Sequence, residues 1–161
     1  MDKKLVKAIN DQITKELFSG YLYLSMAAYF EDRNLSGCSH WMKFQAKEEL
    51  EHAMKFFGFL CDRGEKVELG AIDKPASTFK SIKDVFEQTL EHEKTVTASI
   101  NNLYSMATKL EDNPSVVLLQ WYINEQVEEE KNPTEILAKM QYIKEDSSAV
   151  ILLDKELAKR A

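Results

Sequence analysis

Residues 45–52 read Gln-Ala-Lys-Glu-Glu-Leu-Glu-His, which places Glu49 and His52 three positions apart within a helical pattern. Apolar residues recur at steps of three and four from Trp41 to Leu60, and this spacing is typical of an amphipathic helix. Residues i and i+3 lie on the same face of a helix, so the Glu49 carboxylate and the His52 imidazole can bind one cation. This helix is therefore predicted to carry part of a metal site on its inner face.

Three other long segments have the same periodicity, and a shorter apolar segment follows them. The sequence predicts helices at about residues 3–31, 39–63, 81–110, 114–142 and 148–158. Asn34 and Gly37 are expected to separate the first helix from the second. The connection at about residues 65–80 is long compared with the roughly two to eight residues usual between bundle helices. A connection of this length lets the second helical hairpin return beside the first.

The composition agrees with an all-α fold. The 161 residues include only 5 Gly and 3 Pro, too few for the many turns of an all-β protein. At about 150 residues per domain, the length suggests a single domain over residues 1–161. We predict a four-helix bundle with one long crossover plus a short C-terminal fifth helix.

Charge and hydropathy argue against several classes of partner. With 21 Lys and Arg against 27 Asp and Glu, the net charge is −6, which disfavours nucleic-acid binding. The most apolar stretch, residues 21–30, has about half of the ~20 residues that span a membrane. Residues 1–7 are charged but are not followed by the apolar segment of a signal peptide. Cys38 and Cys61 lie at opposite ends of the second predicted helix, too far apart for a disulfide. We expect a cytoplasmic protein without nucleic-acid or membrane partners.

Acidic residues interrupt the apolar stripe of every long helix, at Glu16, Glu49, Glu93 and Glu129. For a single glutamate, the ordinary interpretation is a residue at the rim of the stripe with its carboxylate in water. All four fall at a similar depth once the hairpins are laid antiparallel, so their carboxylates are expected to converge. Ionised carboxylates in an apolar core repel one another, and each costs several kcal/mol to desolvate. Protons or cations must therefore neutralise them.

The pattern favours cations. A Glu from each of two helices plus a Glu-x-x-His motif from each of the other two describes the di-iron carboxylate bundles. Here the second motif is altered to Gln126-x-x-Glu129, without a histidine. Oxygen donors with one imidazole suit Fe or Mn better than Cu or structural Zn.

Further acidic residues indicate a third, weaker cation position beside this pair. Glu125, Glu128 and Glu129 lie at positions i, i+3 and i+4 of the fourth helix, and Glu48 precedes Glu49 on the second. The alternative interpretation of these residues is a solvated run of charges.

Tyr23 lies two turns beyond Glu16 on the same helix face and is the candidate catalytic residue, able to supply an electron or a hydrogen bond. An aromatic side chain that only packs in the core is the alternative. His92 is interpreted as a flanking residue. Pro133, one turn past Glu129, is expected to cost about 3 kcal/mol or more unless a kink accommodates it.

Together these residues resemble the prokaryotic non-haem ferritins. The resemblance covers nearly the whole chain and includes the stretches Tyr21-Leu22-Tyr23-Leu24-Ser25-Met26 and Gln120-Trp121-Tyr122. It implies that each subunit oxidises Fe²⁺ with O₂ or peroxide at a ferroxidase centre. It also implies a hollow shell, usually of twenty-four copies, that stores the Fe³⁺ as a mineral. Haem is not expected, because Leu50 stands where bacterioferritin-like chains carry a methionine ligand.

The resemblance also implies which residues bind iron. The first iron corresponds to Glu16, Glu49 and His52. The second corresponds to Glu49, Glu93 and Glu129, with Gln126 nearby. The third corresponds to Glu48, Glu125, Glu128 and Glu129.

The fifth helix is expected to pack against copies of itself at a symmetry axis of the shell. A four-helix bundle has no room for another apolar helix, so residues 150–157 need a partner surface.

Two other functions stay open on the sequence. One is a DNA-protecting or purely structural helical shell without a working metal pair, for which Lys155, Lys159 and Arg160 give thin support. The other is a di-iron or di-manganese oxygenase-type enzyme. An oxygenase needs a substrate pocket beside the metals, and bulky residues such as Phe56 and Trp121 argue against one.

Overall fold

Five helices make up the secondary structure of the computed structural model, which describes residues 1–144 and 146–161. They are α1 (Lys3–Glu31), α2 (Ser36–Asp62), α3 (Ile82–Lys109), α4 (Asn113–Met140) and α5 (Ala149–Leu157). No strand occurs among these residues. The predicted fold class, a four-helix bundle with a long crossover and a short fifth helix, is confirmed. None of the described helices is long and apolar enough to cross a membrane.

The first three helices end in the same way, with one residue in the left-handed region. Asn34, Gly64 and Glu111 have φ angles of 56°, 69° and 54°. In each turn the next residue donates its N–H to the carbonyl five residues earlier, at 2.9–3.0 Å. This hydrogen bond closes the helix end, and the left-handed conformation favours glycine. Glu111 therefore occupies a conformation that strains a side chain.

Side-chain caps start the second hairpin. Ser81 Oγ accepts a hydrogen bond from the N–H of Asp84 at 3.0 Å, and Asp84 Oδ2 accepts one from the N–H of Lys80 at 2.9 Å. Asp112 caps α4 by accepting from the N–H of Ser115 at 3.1 Å. These caps satisfy N–H groups that have no partner within the helix.

The helices pack as two antiparallel hairpins, α1 with α2 and α3 with α4, which face each other through α1 and α3. Gln12 contacts Ser99 and Met26 contacts Thr89, so α1 and α3 run in opposite directions. It follows that α2 and α3 are parallel, as the long crossover requires.

Two apolar clusters fill the bundle, one towards each end. One includes Ile9, Phe56 and Leu119, and the other includes Met26, Trp41 and Phe86. Buried glutamates of all four long helices lie between these clusters. The fold thus places a polar layer in the middle of its core.

The fifth helix packs against its own chain as well as presenting an outer face. Val150, Leu153 and Leu157 are buried in the second apolar cluster, whereas Ile151 and Leu152 are exposed. The expectation that the bundle has no room for this helix is therefore wrong for its inner face. The outer face remains available to another subunit.

Gly37 makes this docking possible and does not separate α1 from α2. It lies in the first turn of α2, which begins three residues before its predicted start. A Cβ at Gly37 would meet the backbone oxygen of Asp154 at 1.8 Å. Asp154 Oδ1 accepts a hydrogen bond from the N–H of Cys38 at 2.8 Å, which holds α5 against α2.

Pro133 lies inside α4, and the helix continues past it to Met140. The proline has no N–H to donate to the carbonyl of Glu129, four residues earlier. Its ring is buried. The effect of Pro133 is thus a missing backbone hydrogen bond at Glu129, with α4 still continuous.

Candidate metal centre

Five side chains from four helices form the core of the candidate centre. α1 supplies Glu16, α2 supplies Glu49 and His52, α3 supplies Glu93, and α4 supplies Glu129. The four glutamates are 1–3% exposed and His52 is 4% exposed. The glutamates expected to converge are therefore all inside the bundle.

The structure brings these five residues together in two groups. Glu16, Glu49 and His52 form one group, and Glu49, Glu93 and Glu129 form the other. Within each group, one potential ligand atom per residue lies within 4.8 Å of the others. Glu49 belongs to both groups, so its carboxylate can bridge two cations.

A third group consists of His52, Glu125 and Glu129. His52 faces both neighbouring carboxylates, with Nδ1 3.5 Å from Glu49 Oε2 and Nε2 3.9 Å from Glu125 Oε1. This group differs from the expected third set. Glu128 is exposed and lies outside all three groups. Burial is the main cause that raises the pKa of Glu48 and of Glu125, and the charge of Glu128 raises both further.

Glu48 pairs with Arg160, a residue that counted in the sequence only as thin support for a DNA-protecting shell. The guanidinium of Arg160, which follows α5, donates a hydrogen bond to Glu48 Oε2. The same guanidinium lies 4.3 Å from the ring centre of Trp41 and 4.9 Å from that of Phe44. Arg160 is thus an ion-pair partner of Glu48, one of the residues of the expected third cation position. No sequence signal joins residues 112 positions apart.

Tyr23 and Gln126 both hydrogen-bond to Glu93. The phenol of Tyr23 is completely buried and donates to Glu93 Oε1. Gln126 donates from Nε2 to Glu93 Oε2 at 3.2 Å. Both side chains therefore orient the Glu93 carboxylate by hydrogen bonds, and neither belongs to the three ligand groups.

Two other residues support the centre, and neither was a candidate site residue in the sequence. Gln45 donates to Glu129 Oε2 and, at 3.4 Å, to Glu49 Oε1. It sits one helical turn before Glu49, and that spacing is the signal that could have identified it. Tyr122 donates to the backbone carbonyl of His52 at 2.6 Å, which ties α4 to α2 at the centre.

Burial is the main influence on the acid groups. It raises the pKa of Glu16 to about 7, against a hydrogen bond from Gln12 that lowers it. Burial and then the charge of Glu93 raise the pKa values of Glu49 and Glu129 well above the ordinary range. Burial also raises the pKa of Glu93. These carboxylates gain most from a cation that replaces their protons.

The two histidines near the centre are neutral at pH 7. Burial lowers the pKa of His52 to about 4, and a second effect comes from the charge of Lys55. A neutral imidazole has the lone pair that a metal ligand needs. Burial likewise lowers the pKa of His92 to about 4. The prediction that His92 is a flanking residue holds only in part, since its ring centre lies 5.9 Å from that of Tyr23.

The chemistry of these donors suits hard divalent cations. Glu16 Oε2 and Gln45 Oε1 are buried with no hydrogen-bond partner among the described residues. Such unmet acceptors are costly in a core, and a cation satisfies them. Four carboxylates and one imidazole are a hard donor set, which suits iron or manganese.

Comparison with known proteins places this chain in a family. The ferritin-like domain family matches residues 6–143. A probable bacterial non-haem ferritin-like protein of Haemophilus influenzae is 38% identical over 157 residues, which cover 98% of this chain and 95% of that protein. A bacterial non-haem ferritin of Staphylococcus haemolyticus is 37% identical over 161 residues, covering 100% and 97%.

Solved structures show the same similarity. The open-pore ferritin of the hyperthermophilic archaeon Archaeoglobus fulgidus matches with a TM-score of 0.98 and 46% identity, covering 100% of this chain and 98% of that chain. Because sequence and structural similarity both extend over nearly the full length, this protein belongs to the ferritin family and resembles its prokaryotic non-haem members.

Proposed function

We propose that this chain stores iron. Fe²⁺ binds as a substrate at the centre inside each subunit, is oxidised there to Fe³⁺, and is held as a mineral within a closed shell of copies of the chain. The observation that carries the proposal is the position of Glu49 in two adjoining groups of buried ligands. Similarity to proteins named non-haem ferritins supports iron as the cation.

Two adjacent substrate ions suit a two-electron oxidant. Each Fe²⁺ gives up one electron, so a pair reduces one O₂ to peroxide, or one peroxide to two waters, with two protons taken up in either case. Glu49 would hold the two ions close together, which removes the need for a chance encounter of two ions with one oxidant. The remaining carboxylates would balance the charge of the Fe³⁺ formed.

The surrounding residues have separate roles in this proposal. His52 and Glu16 complete the first position, and Glu93 and Glu129 complete the second. The Tyr23 phenol lies against Glu93, where it can donate a hydrogen bond or an electron. A third, weaker position would draw on Glu48, Glu125, Glu128 and Glu129, of which Glu125 and Glu129 share a ligand group with His52.

The shell would consist of twenty-four subunits in the cytoplasm. Exposed apolar side chains on α5, Ile151 and Leu152, support contact between copies, because an isolated chain would leave them in water. Neither haem, nucleic acid nor a membrane enters the proposed function.

Anaerobic Fe²⁺ titration followed by O₂ tests the oxidation step. The Glu93→Gln variant keeps the shape of the side chain and removes a ligand charge. Glu91→Gln is its matched control, since Glu91 is an exposed glutamate one half-turn away on α3. We expect fast oxidation at about two to three irons per chain in wild type and in Glu91→Gln, and loss of this phase in Glu93→Gln. Equal rates in all three proteins would refute the centre.

A further inference from the structure

A chain of three hydrogen bonds runs from the surface of the bundle to Glu16. The exposed ammonium of Lys15 donates to Ser99 Oγ at 2.7 Å. Ser99 Oγ donates to Gln12 Oε1 at 2.6 Å, and Gln12 Nε2 donates to Glu16 Oε1 at 2.9 Å. These three hydrogen bonds thus join α1 to α3 and lead from solvent to the buried carboxylate of Glu16.

The direction of these three hydrogen bonds agrees with the ammonium group of Lys15 at their outer end. An ammonium group has only donors, so the Ser99 oxygen accepts from Lys15. The single proton of the hydroxyl is then available to Gln12 Oε1. With its carbonyl turned to Ser99, Gln12 can present only its NH₂ group to Glu16. The three hydrogen bonds thus connect a charged residue at the surface to an amide that is 1% exposed.

This orientation distinguishes the two oxygens of Glu16. Oε1 is held as an acceptor by Gln12. Oε2 is buried and has no hydrogen-bond partner among the described residues. Gln12 thus engages one oxygen of the carboxylate and leaves the other without a hydrogen-bond donor.

We propose that Lys15, Ser99 and Gln12 are positioning residues that hold Glu16 Oε2 towards the first cation position. The inference rests on the proposed function, since it assigns a role within the same centre. None of the three touches the cation; they act through Glu16. The second position, at Glu49, Glu93 and Glu129, does not include Glu16. The three hydrogen bonds therefore affect the first position selectively.

Variants at Ser99 test this role because they change one hydroxyl that reaches Glu16 only through Gln12. Ser99→Ala removes the central link, whereas Ser99→Thr keeps a hydroxyl in place and serves as the matched control. Lys15→Met removes the outer donor with little change in side-chain length. Each full-length protein is titrated anaerobically with Co²⁺, and the visible absorption bands report coordination at each position.

We expect Ser99→Ala to weaken Co²⁺ binding at the first position by about 3–10-fold, below the 10–100-fold typical when a residue directly supporting a ligand is lost. Lys15→Met should also weaken Co²⁺ binding at the first position, and Ser99→Thr should bind Co²⁺ as the wild type does. The bands of the second position, the thermal midpoint and the shell size should not change. A general loss of structure would alter all of these together.

The outcomes separate this inference from the proposed function. Wild-type binding of two Co²⁺ per chain, with Ser99→Ala indistinguishable from wild type, overturns the positioning role alone. Equal weakening in Ser99→Ala and Ser99→Thr also overturns it. No Co²⁺ binding at the centre of the wild-type protein overturns the proposed function and this inference with it.

Discussion

Replacing Gly37 by alanine tests how α5 is held against the bundle. The added Cβ would lie 1.8 Å from the backbone oxygen of Asp154 and 2.6 Å from its carbonyl carbon. Ordinary contact begins near 3.4 Å, so α5 must move away by about 1.6 Å. Neither atom belongs to a flexible side chain, which means that the strain cannot be relieved by a change of rotamer.

The cost follows from what α5 buries. Val150, Leu153 and Leu157 are 4–8% exposed. At roughly 1.5–3 kcal/mol for each fully buried side chain, complete undocking would cost about 5–9 kcal/mol. A displaced helix keeps part of this burial, so we expect Gly37→Ala to lower the free energy of unfolding by about 2–4 kcal/mol.

Thermal unfolding and hydrogen exchange of the α5 amides measure this effect. Gly58→Ala on the same helix is the matched control, because its Cβ would meet nothing within 4 Å. In the control, the better helix propensity of alanine should raise the free energy of unfolding by as much as about 1 kcal/mol. If Gly37→Ala matched Gly58→Ala in stability and in α5 protection, the docking described above would be refuted.

Three further predictions concern the turns and the outer face of α5. Glu111→Gly should raise the free energy of unfolding by about 1 kcal/mol, measured by thermal unfolding, because glycine adopts the left-handed conformation without strain; an unchanged midpoint would contradict this. Hydrogen bonds from Arg63 lower the pKa of Asp112 to about 2, so its ionised form contributes stability above pH about 4 that is lost as the pH falls towards 2. Asp112→Ala should therefore lower the free energy of unfolding, measured by thermal unfolding, by about 1–2 kcal/mol at pH 7 and by less at pH 3. A loss of stability that does not depend on pH would refute the lowered pKa of Asp112. Replacing Ile151 and Leu152 by serine, which leaves the buried face of α5 intact, should give smaller particles in light scattering; particles of wild-type mass would exclude this face from assembly.

The residues predicted best from sequence are those whose position follows from helical periodicity. Glu16, Glu49, Glu93 and Glu129 break an apolar stripe, and a charged residue within such a stripe is conspicuous whatever lies around it. The Glu49–His52 spacing adds a shared face. Convergence of these side chains then follows from the topology, which the long crossover indicates.

Features that depend on close contact between distant segments could not be predicted. Gly37 is a turn former in sequence and a contact surface for α5 in the structure. The pairing of Arg160 with Glu48 requires the fifth helix to be docked first. Likewise, Gln12 and Ser99 are ordinary polar residues until the packing of α1 on α3 brings them together.

Anomalous diffraction at the iron edge, from crystals loaded anaerobically with Fe²⁺, tests most directly whether Glu49 joins two cations. We predict two iron peaks in each subunit, one between Glu16, Glu49 and His52 and the other between Glu49, Glu93 and Glu129, with a carboxylate oxygen of Glu49 bonded to each. A single peak, or iron bound only at the surface with Glu49 still hydrogen-bonded to protein groups, would contradict it.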